Sequence, residues 1–253
     1  MNAIKSELKR AIFSKTFILT AIGFAFLITF EDFMTIIEVY KDYLSKPCTF
    51  HYSFVRDALS DSAVKFVLPV IAVLPYSNTF VTEMQNGFIK NILPKAKRNN
   101  YIFSKIFASV VSGFAVCAVG ILFALLISYG IFAAKEIPYS KADFGTGEVI
   151  SFIQVMLRCS FVAMLSASFG SMASLLFNNR YMAYASPFVA YYMLIILNER
   201  YIDSVYLLYP YEWLDKTHSW PFDEVGLIVF LILLTVLFSV IFFLIGKWRL
   251  KDV

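Results

Sequence analysis

Charged residues interrupt this chain rarely, and the gaps between them are long. Six stretches of fifteen or more residues carry no charge: Thr16 to Phe30, Phe66 to Thr82, Ile106 to Ala134, Cys159 to Asn179, Tyr181 to Asn198 and Val225 to Gly246. A helix needs about 20 apolar residues to cross a hydrocarbon core of about 30 Å, and flanking side chains that snorkel lengthen the shorter stretches. The pattern predicts six membrane-spanning helices, the first from about Phe13 to Phe33 and the fourth beginning near Val149 with Arg158 inside it. Lys5, Lys9, Arg10 and Lys15 ahead of the first stretch resemble the start of a secretory leader. Glu31 and Asp32 follow where the small residues of a cleavage site belong, so the segment reads as a retained span.

Placing the amino terminus in the cytoplasm sorts the charges sharply. The cytoplasmic side then holds thirteen basic residues, from Lys5 to Lys251, against Glu7, Glu83 and Asp252. The outer side holds seven basic residues and the other fifteen acidic ones, with Lys65 and Arg158 inside spans. The formal charge of +4 conceals this asymmetry, which is the positive-inside pattern and implies an even number of spans with both termini cytoplasmic. Basic residues that cluster between apolar runs argue against a nucleic-acid partner. With 59% apolar residues, 16% charged and a mean hydropathy of +0.70, the chain is too apolar for one water-soluble core.

The reading is an all-α membrane protein, a single transmembrane domain over residues 1–253 in a cell membrane, with the lipid bilayer as its solvent. The outer segment 199–224 carries Tyr201, Tyr206, Tyr209, Tyr211, Trp213 and Trp220. It forms either an aromatic belt at the interface or a re-entrant piece shielded by protein. Cys117 and Cys159 fall in spans and Cys48 stands alone outside, so three unpaired thiols are expected and no metal site is indicated.

Catalytic chemistry at membrane depth needs a nucleophile with a base, or a metal cluster. His51 and His218 lie far apart in outer loops, and Gly170-Ser171 has no candidate base among the spans, so the chain is not read as an enzyme. No Asp or Glu lies within a span interior. Lys65 sits at the outer mouth of the second span, where snorkelling accounts for it. Arg158 lies about 15 Å into the fourth span, with Gln154 one turn away on the same face. A charge there costs at least about 2.5 to 3.5 kcal/mol on insertion scales, so it reaches headgroups along a tilted helix, lines a translocation path or faces a partner subunit. Ser166, Gly170 and Ser174 form a stripe of small residues, as do Ser109, Gly113 and Cys117, and both suit close helix packing. Pro69 and Pro75 are expected to bend the second span.

The most informative segment is the loop 82–105, "TEMQNGFIKNILPKAKRNNYIFSK". Phe88, Ile89, Ile92 and Leu93 group on one side of a short helix that Pro94 cannot continue. A basic amphipathic helix of this kind either lies on anionic headgroups or docks a partner protein.

At this point the chain resembles the permeases of the ABC-2 class of ABC transporters. In those proteins the second span ends in a Glu, followed by a Gly, a short helix, a basic segment and a Lys opening the third span. Glu83, Gly87, "IKNIL" at 89–93, Lys97 and Arg98, and Lys105 follow that order. The amino-terminal "IKSELKRAIFSKTF" resembles the family's amphipathic connecting helix, and "LLFNNRYMAYA" and "LLYPYEWL" match its later junctions in style. One departure is Pro94-Lys-Ala-Lys-Arg98, where many members have Pro-x-x-Arg.

The resemblance implies six spans with both termini cytoplasmic, a connecting helix over 1–14 carrying Lys5, Leu8, Lys9 and Ile12, and a coupling loop over 83–105. It implies that Glu83, Gly87, Phe88, Ile89, Ile92, Leu93, Lys97, Arg98 and Lys105 couple to ABC ATPase subunits, with Glu83 offered to a basic residue of the partner. Two permease subunits, alike or different, would frame the path, with Gln154 and Arg158 as path or interface residues. No Gly-x-x-x-x-Gly-Lys-Ser/Thr loop occurs, so ATP and Mg would sit on the partner and this chain would bind no cofactor. The 27 Phe and 15 Tyr would suit an amphipathic peptide, antimicrobial or lipid-like cargo, as in small bacterial peptide-export or bacteriocin-immunity systems. Two alternatives stay open: an ATPase-independent channel or ion-coupled carrier, and a non-transporting membrane scaffold or sensor.

Overall fold

The computed structural model describes residues 3–31, 33–41, 51–89, 97–132, 146–201 and 205–251. Every regular element among them is helical: α1 Ala3–Ile12, α2 Lys15–Glu31, α3 Phe33–Lys41, α4 His51–Leu59, α5 Ser62–Val73, α6 Thr79–Gln85, α7 Arg98–Phe132, α8 Thr146–Phe177, α9 Met182–Tyr201, α10 Pro210–Asp215 and α11 Glu224–Arg249. A 3-10 turn covers Tyr206–Leu208.

Three of these are long and apolar enough to cross a membrane: α7, α8 from Val149, and α11. The pair Ile4–Ile12 and Lys15–Glu31 qualifies together, bent by 47°, which makes four. The six spans of the sequence reading are thus met by three or four helices. The second stretch is split into α5, of 12 residues, and α6, of 7. Pro75 lies in the break and brings no N–H for the helical ladder. The fifth stretch forms α9, 20 residues long with Pro187 inside, whose tyrosines and Asn198-Glu199-Arg200 end lower its apolar character.

α8 is the central element, 50% buried over its apolar window and packed against α4, α5, α7, α9 and α11; α11 is peripheral, at 17%. Its lower end closes with Asn178 in the left-handed region at φ 51°. Asn178 N–H donates to Leu175 O at 3.3 Å and Asn179 N–H to Ser174 O at 3.0 Å, a Schellman closure with Asn where Gly is usual. At the start of α5, Asp61 accepts from Ala63 N–H at 3.1 Å, and that backbone donor holds its carboxyl below the usual range.

The small-residue stripes are used within the chain. A Cβ on Gly113 of α7 would come within 2.5 Å of Ala167 Cβ and 3.0 Å of the Ala163 carbonyl of α8. One on Gly170 would meet the Ala183 carbonyl of α9 at 2.6 Å and Val73 of α5 at 2.9 Å. Backbones approach this closely only where a side chain is missing. Hydroxyls line the same seam: Ser109 and Ser171 are 2.6 Å apart, and Ser77 lies 3.3 Å from both Ser109 and the Ala167 carbonyl.

Chain direction separates two poles. The start of α7 and the ends of α8 and α11 meet α1 and α6 at one, where Arg249 donates to Leu176 O at 3.0 Å and Leu250 packs with Ile102 and Leu175. The end of α7 and the starts of α8 and α11 meet α4 and α10 at the other, around Phe54, Phe132, Phe152, Trp213 and Leu227.

Gly113→Ala should cost about 1–3 kcal/mol through overpacking, whereas Gly23→Ala, where an added Cβ meets nothing within 4 Å, should be neutral or gain up to about 1 kcal/mol. Thermal unfolding of the two variants in detergent checks this; equal midpoints would mean that the α7–α8 crossing is looser than described.

Candidate functional site

α7 is apolar over most of its length, yet Tyr101, Lys105 and Ser109 recur every fourth residue and so share a face turned into the bundle. Lys105 is the extreme case, with a side chain 1% exposed. A buried ammonium needs counter-charge and a partner for each of its three protons. Its Nζ has three acceptors: Glu83 Oε1 at 2.8 Å, Glu7 Oε2 at 2.9 Å and the Tyr76 hydroxyl at 3.2 Å. The rings of Tyr101 and Tyr76 lie 5.4 and 5.5 Å from the same nitrogen, within cation–π range.

The carboxylates are held in turn. Tyr76 donates its hydroxyl proton to Glu7, Tyr101 donates to Glu83 Oε2, and Arg10 Nη1 donates to Glu83 Oε1. Two acids and two cations from α1, α6 and α7, with two phenols, close a neutral network around one point. Burial alone would push the Glu83 carboxyl up; Lys105 and the bonds from Tyr101 and Arg10 outweigh it and hold the group below its usual range.

Glu83 therefore faces inward, 5% exposed, with both oxygens occupied within the chain. This corrects the expectation that it is offered to a basic residue of a partner: its cations are Arg10 of α1 and Lys105, brought from 22 positions along the chain by α7. Lys105 is likewise enclosed. Gly87 turns the chain out of α6 at φ 69°, leaving Phe88 49% exposed while Ile89 packs with Phe80, Tyr101 and Ile102. Lys97 is exposed and Arg98 half-buried; Ile92 and Leu93 lie outside the described residues. On α1, Lys5 and Lys9 are exposed, and Leu8 and Ile12 are half-buried on the side that carries Ala11 against Tyr76 and Ala108. The partners that sequence reasoning missed are Glu7, Arg10, Tyr76 and Tyr101. The four-residue spacing of Tyr101, Lys105 and Ser109 within an apolar helix was their one visible signal.

The opposite pole holds the other buried cations. Lys65 is 7% exposed and bonded to Asp215 at 2.6 Å, with Nζ 5.7 Å from the Tyr211 ring, so it is paired within the fold and does not snorkel. Arg158 is 8% exposed and faces Glu224 across 3.7 Å, an ion pair longer than a hydrogen bond; Gln154 is half-buried. Glu224 also takes Lys216 at 3.0 Å, while the exposed Asp223 is held below its ordinary range by its bond from the same lysine. The aromatic segment folds onto this pole. Trp213 Nε1 donates to Leu207 O at 2.9 Å, and Glu212, 2% exposed, accepts from the His218 backbone N–H at 3.1 Å and meets its Nδ1 at 2.8 Å. Both histidines are thus engaged locally, His51 lying buried against Tyr52 and Tyr129. No group of three or more metal-binding side chains occurs among the described residues, where Cys117 and Cys159 are free thiols; Cys48 lies outside them.

Lys105→Met should cost about 3–5 kcal/mol, because it leaves Glu7 and Glu83 buried without their shared cation, and Tyr101→Phe about 1–3 kcal/mol. The depressed folded-state pKa of Glu83 makes its contribution complete above the ordinary glutamate value of 4.5 and lost as pH falls through the folded value. Glu83→Gln should flatten that acid limb when unfolding midpoints are followed with pH; an unchanged limb would remove Glu83 from the network. Compared with known proteins, the chain matches no protein-family model and no curated protein.

Proposed function

We propose that this chain is the membrane-spanning subunit of an ATP-driven ABC-2-type exporter in a bacterial cell membrane, coupling a translocation path to a separate ATPase. The observation that carries this reading is the network around Lys105. The two segments that the resemblance assigns to the ATPase, α1 and the 83–105 loop, are bonded to each other and to the start of α7. A push on either is therefore delivered to a helix of 35 residues that reaches the far pole. The outward-facing groups left for a partner are the apolar Phe88 and the basic Lys5, Lys9 and Lys97.

The topology lends support. α1 and the end of α11 lie at the same pole, as an even number of crossings requires, and the split α5–α6 and the less apolar α9 would make up six spans once lipid surrounds them. In this reading ATP and Mg bind the partner, closure of the ATPase dimer moves α1 and the 83–105 loop together, and a second permease subunit completes the path. An amphipathic peptide, antimicrobial or lipid-like molecule is the cargo that the aromatic spans favour.

A second reading rests on the outer pole. Buried Arg158 facing Glu224, and Lys65 bonded to Asp215, are the sort of ion pairs that mark ion pathways, and they favour an ATPase-independent channel or carrier.

Expressing the chain with its neighbouring genes and identifying by mass spectrometry what stays bound to it through gentle extraction separates the two. A stoichiometric ATPase that is lost on Phe88→Asp, with the permease still folded, is the expected outcome. A stable oligomer of this chain alone would overturn the exporter reading in favour of the second.

A further inference from the structure

An apolar groove of about 560 Å³ runs between α7, α8 and α11, among Phe103, Phe107, Val110, Phe161, Val236 and Phe243. That volume falls within the range of about 300–1,000 Å³ in which small molecules are held. Its α11 wall extends from Ile232 to Phe243, about 16 Å of helix.

The end of the groove at the α1 pole is polar. Gly246 of α11 lies beside Ile102 of α7, where an added Cβ would be 3.4 Å from Ile102 Cγ2. This sets the last turn of α11 alongside the first turns of α7. One turn past Phe243, on the same stripe, stands the exposed Lys247; one turn before Phe103 stand the exposed Asn99 and Asn100. An ammonium and two amides beyond the mouth of an apolar slot match a phosphate above a hydrocarbon tail. A second copy of the chain fits less well. The acids described at this pole, Glu7 and Glu83, are already bonded to Lys105 and offer Lys247 no counter-charge.

We propose that this groove holds an acyl chain of an anionic phospholipid of the cytoplasmic leaflet, its phosphate bound by Lys247 with Asn99 and Asn100. The inference rests on the membrane placement of α7 and α11 in the proposed function and is independent of ATPase coupling. The lipid is a resident ligand of the permease, seated outside the bundle, and not its cargo.

The test uses the full chain reconstituted with equal phosphatidylcholine and phosphatidylglycerol of matched tails, extracted in mild detergent and weighed intact by native mass spectrometry. The wild type should retain phosphatidylglycerol over phosphatidylcholine by about fivefold. Lys247→Gln should bring that ratio near one. Val240→Trp should abolish retention while its unfolding midpoint and elution volume stay those of the wild type. Equal retention of both lipids, no retained lipid, or a ratio unchanged in Lys247→Gln would overturn the proposal. So would a dimer that Val240→Trp dissociates, which would give the groove to a second copy. An alkaline wash of the membranes beforehand separates the two levels: release of the chain defeats the membrane reading itself, whereas retention without selective lipid defeats only this site.

Discussion

A lysine ammonium buried to 1% exposure is costly without acids beside it, and this need organises one end of the molecule. Glu83 must come down from α6, Glu7 must come across from α1, and both must arrive at the same face of α7. The 47° bend between α1 and α2 follows, since α1 has to lie across the start of α7 while α2 runs along it. The break after Val73 has a matching consequence. It places Tyr76 and Ser77 on the seam where the Lys105 and Ser109 side chains wait, so that a tightly packed apolar bundle keeps a satisfied polar strip.

The two poles solve the same problem in different ways. At the α1 pole, four charges and two phenols saturate one another and leave basic side chains to face outward. At the α10 pole, cations from α5 and α8 are met by acids from α10 and the first residue of α11: Lys65 by Asp215 at 2.6 Å, and Arg158 by Glu224 at 3.7 Å. Between the poles, contact is made by glycine, alanine and serine. Without a hydrophobic drive between helices in lipid, such close backbone approach is what holds helices together. Helices held this closely along their length and pinned by charge at both ends form a bundle whose ends are mechanically tied, the property on which the proposed function draws.

Much of the helical plan was legible because its signal is one-dimensional. α8 and α11 begin within a few residues of the predicted starts near Val149 and at Val225, and all three long helices end within a few residues of the predicted stretches, since a long uncharged run dictates a long apolar helix whatever surrounds it; α7 begins eight residues earlier than its stretch, at Arg98, because Lys105 finds its counter-charges inside the fold. α9 follows its predicted stretch but is less apolar than a span requires; α5–α6 departed from the expectation because its fate depends on neighbours: Ser77 and Asn78 find partners in Ala167 and Tyr184, far away in sequence, and that makes a broken helix tolerable. The candidate site was half legible. Glu83 and Lys105 were both singled out, but their mutual bond was not, because a loop of 22 residues conceals that the two ends return to one place. Lys65 was misread for the same reason, its acid lying 150 positions later. Helical spacing reveals which residues share a face; the charge that answers them from another helix is a property of the fold.

Lys105 fastens α1 to the bundle through Glu7 and Glu83. Hydrogen–deuterium exchange over residues 3–12 in lipid nanodiscs, comparing the wild type with Lys105→Met, tests it most directly. Loss of protection across α1 with α8 still protected is the result expected of a charge-held helix. Protection of α1 that survives the substitution would mean that apolar contacts such as Ala11 on Ala108 hold it unaided, and would contradict the account.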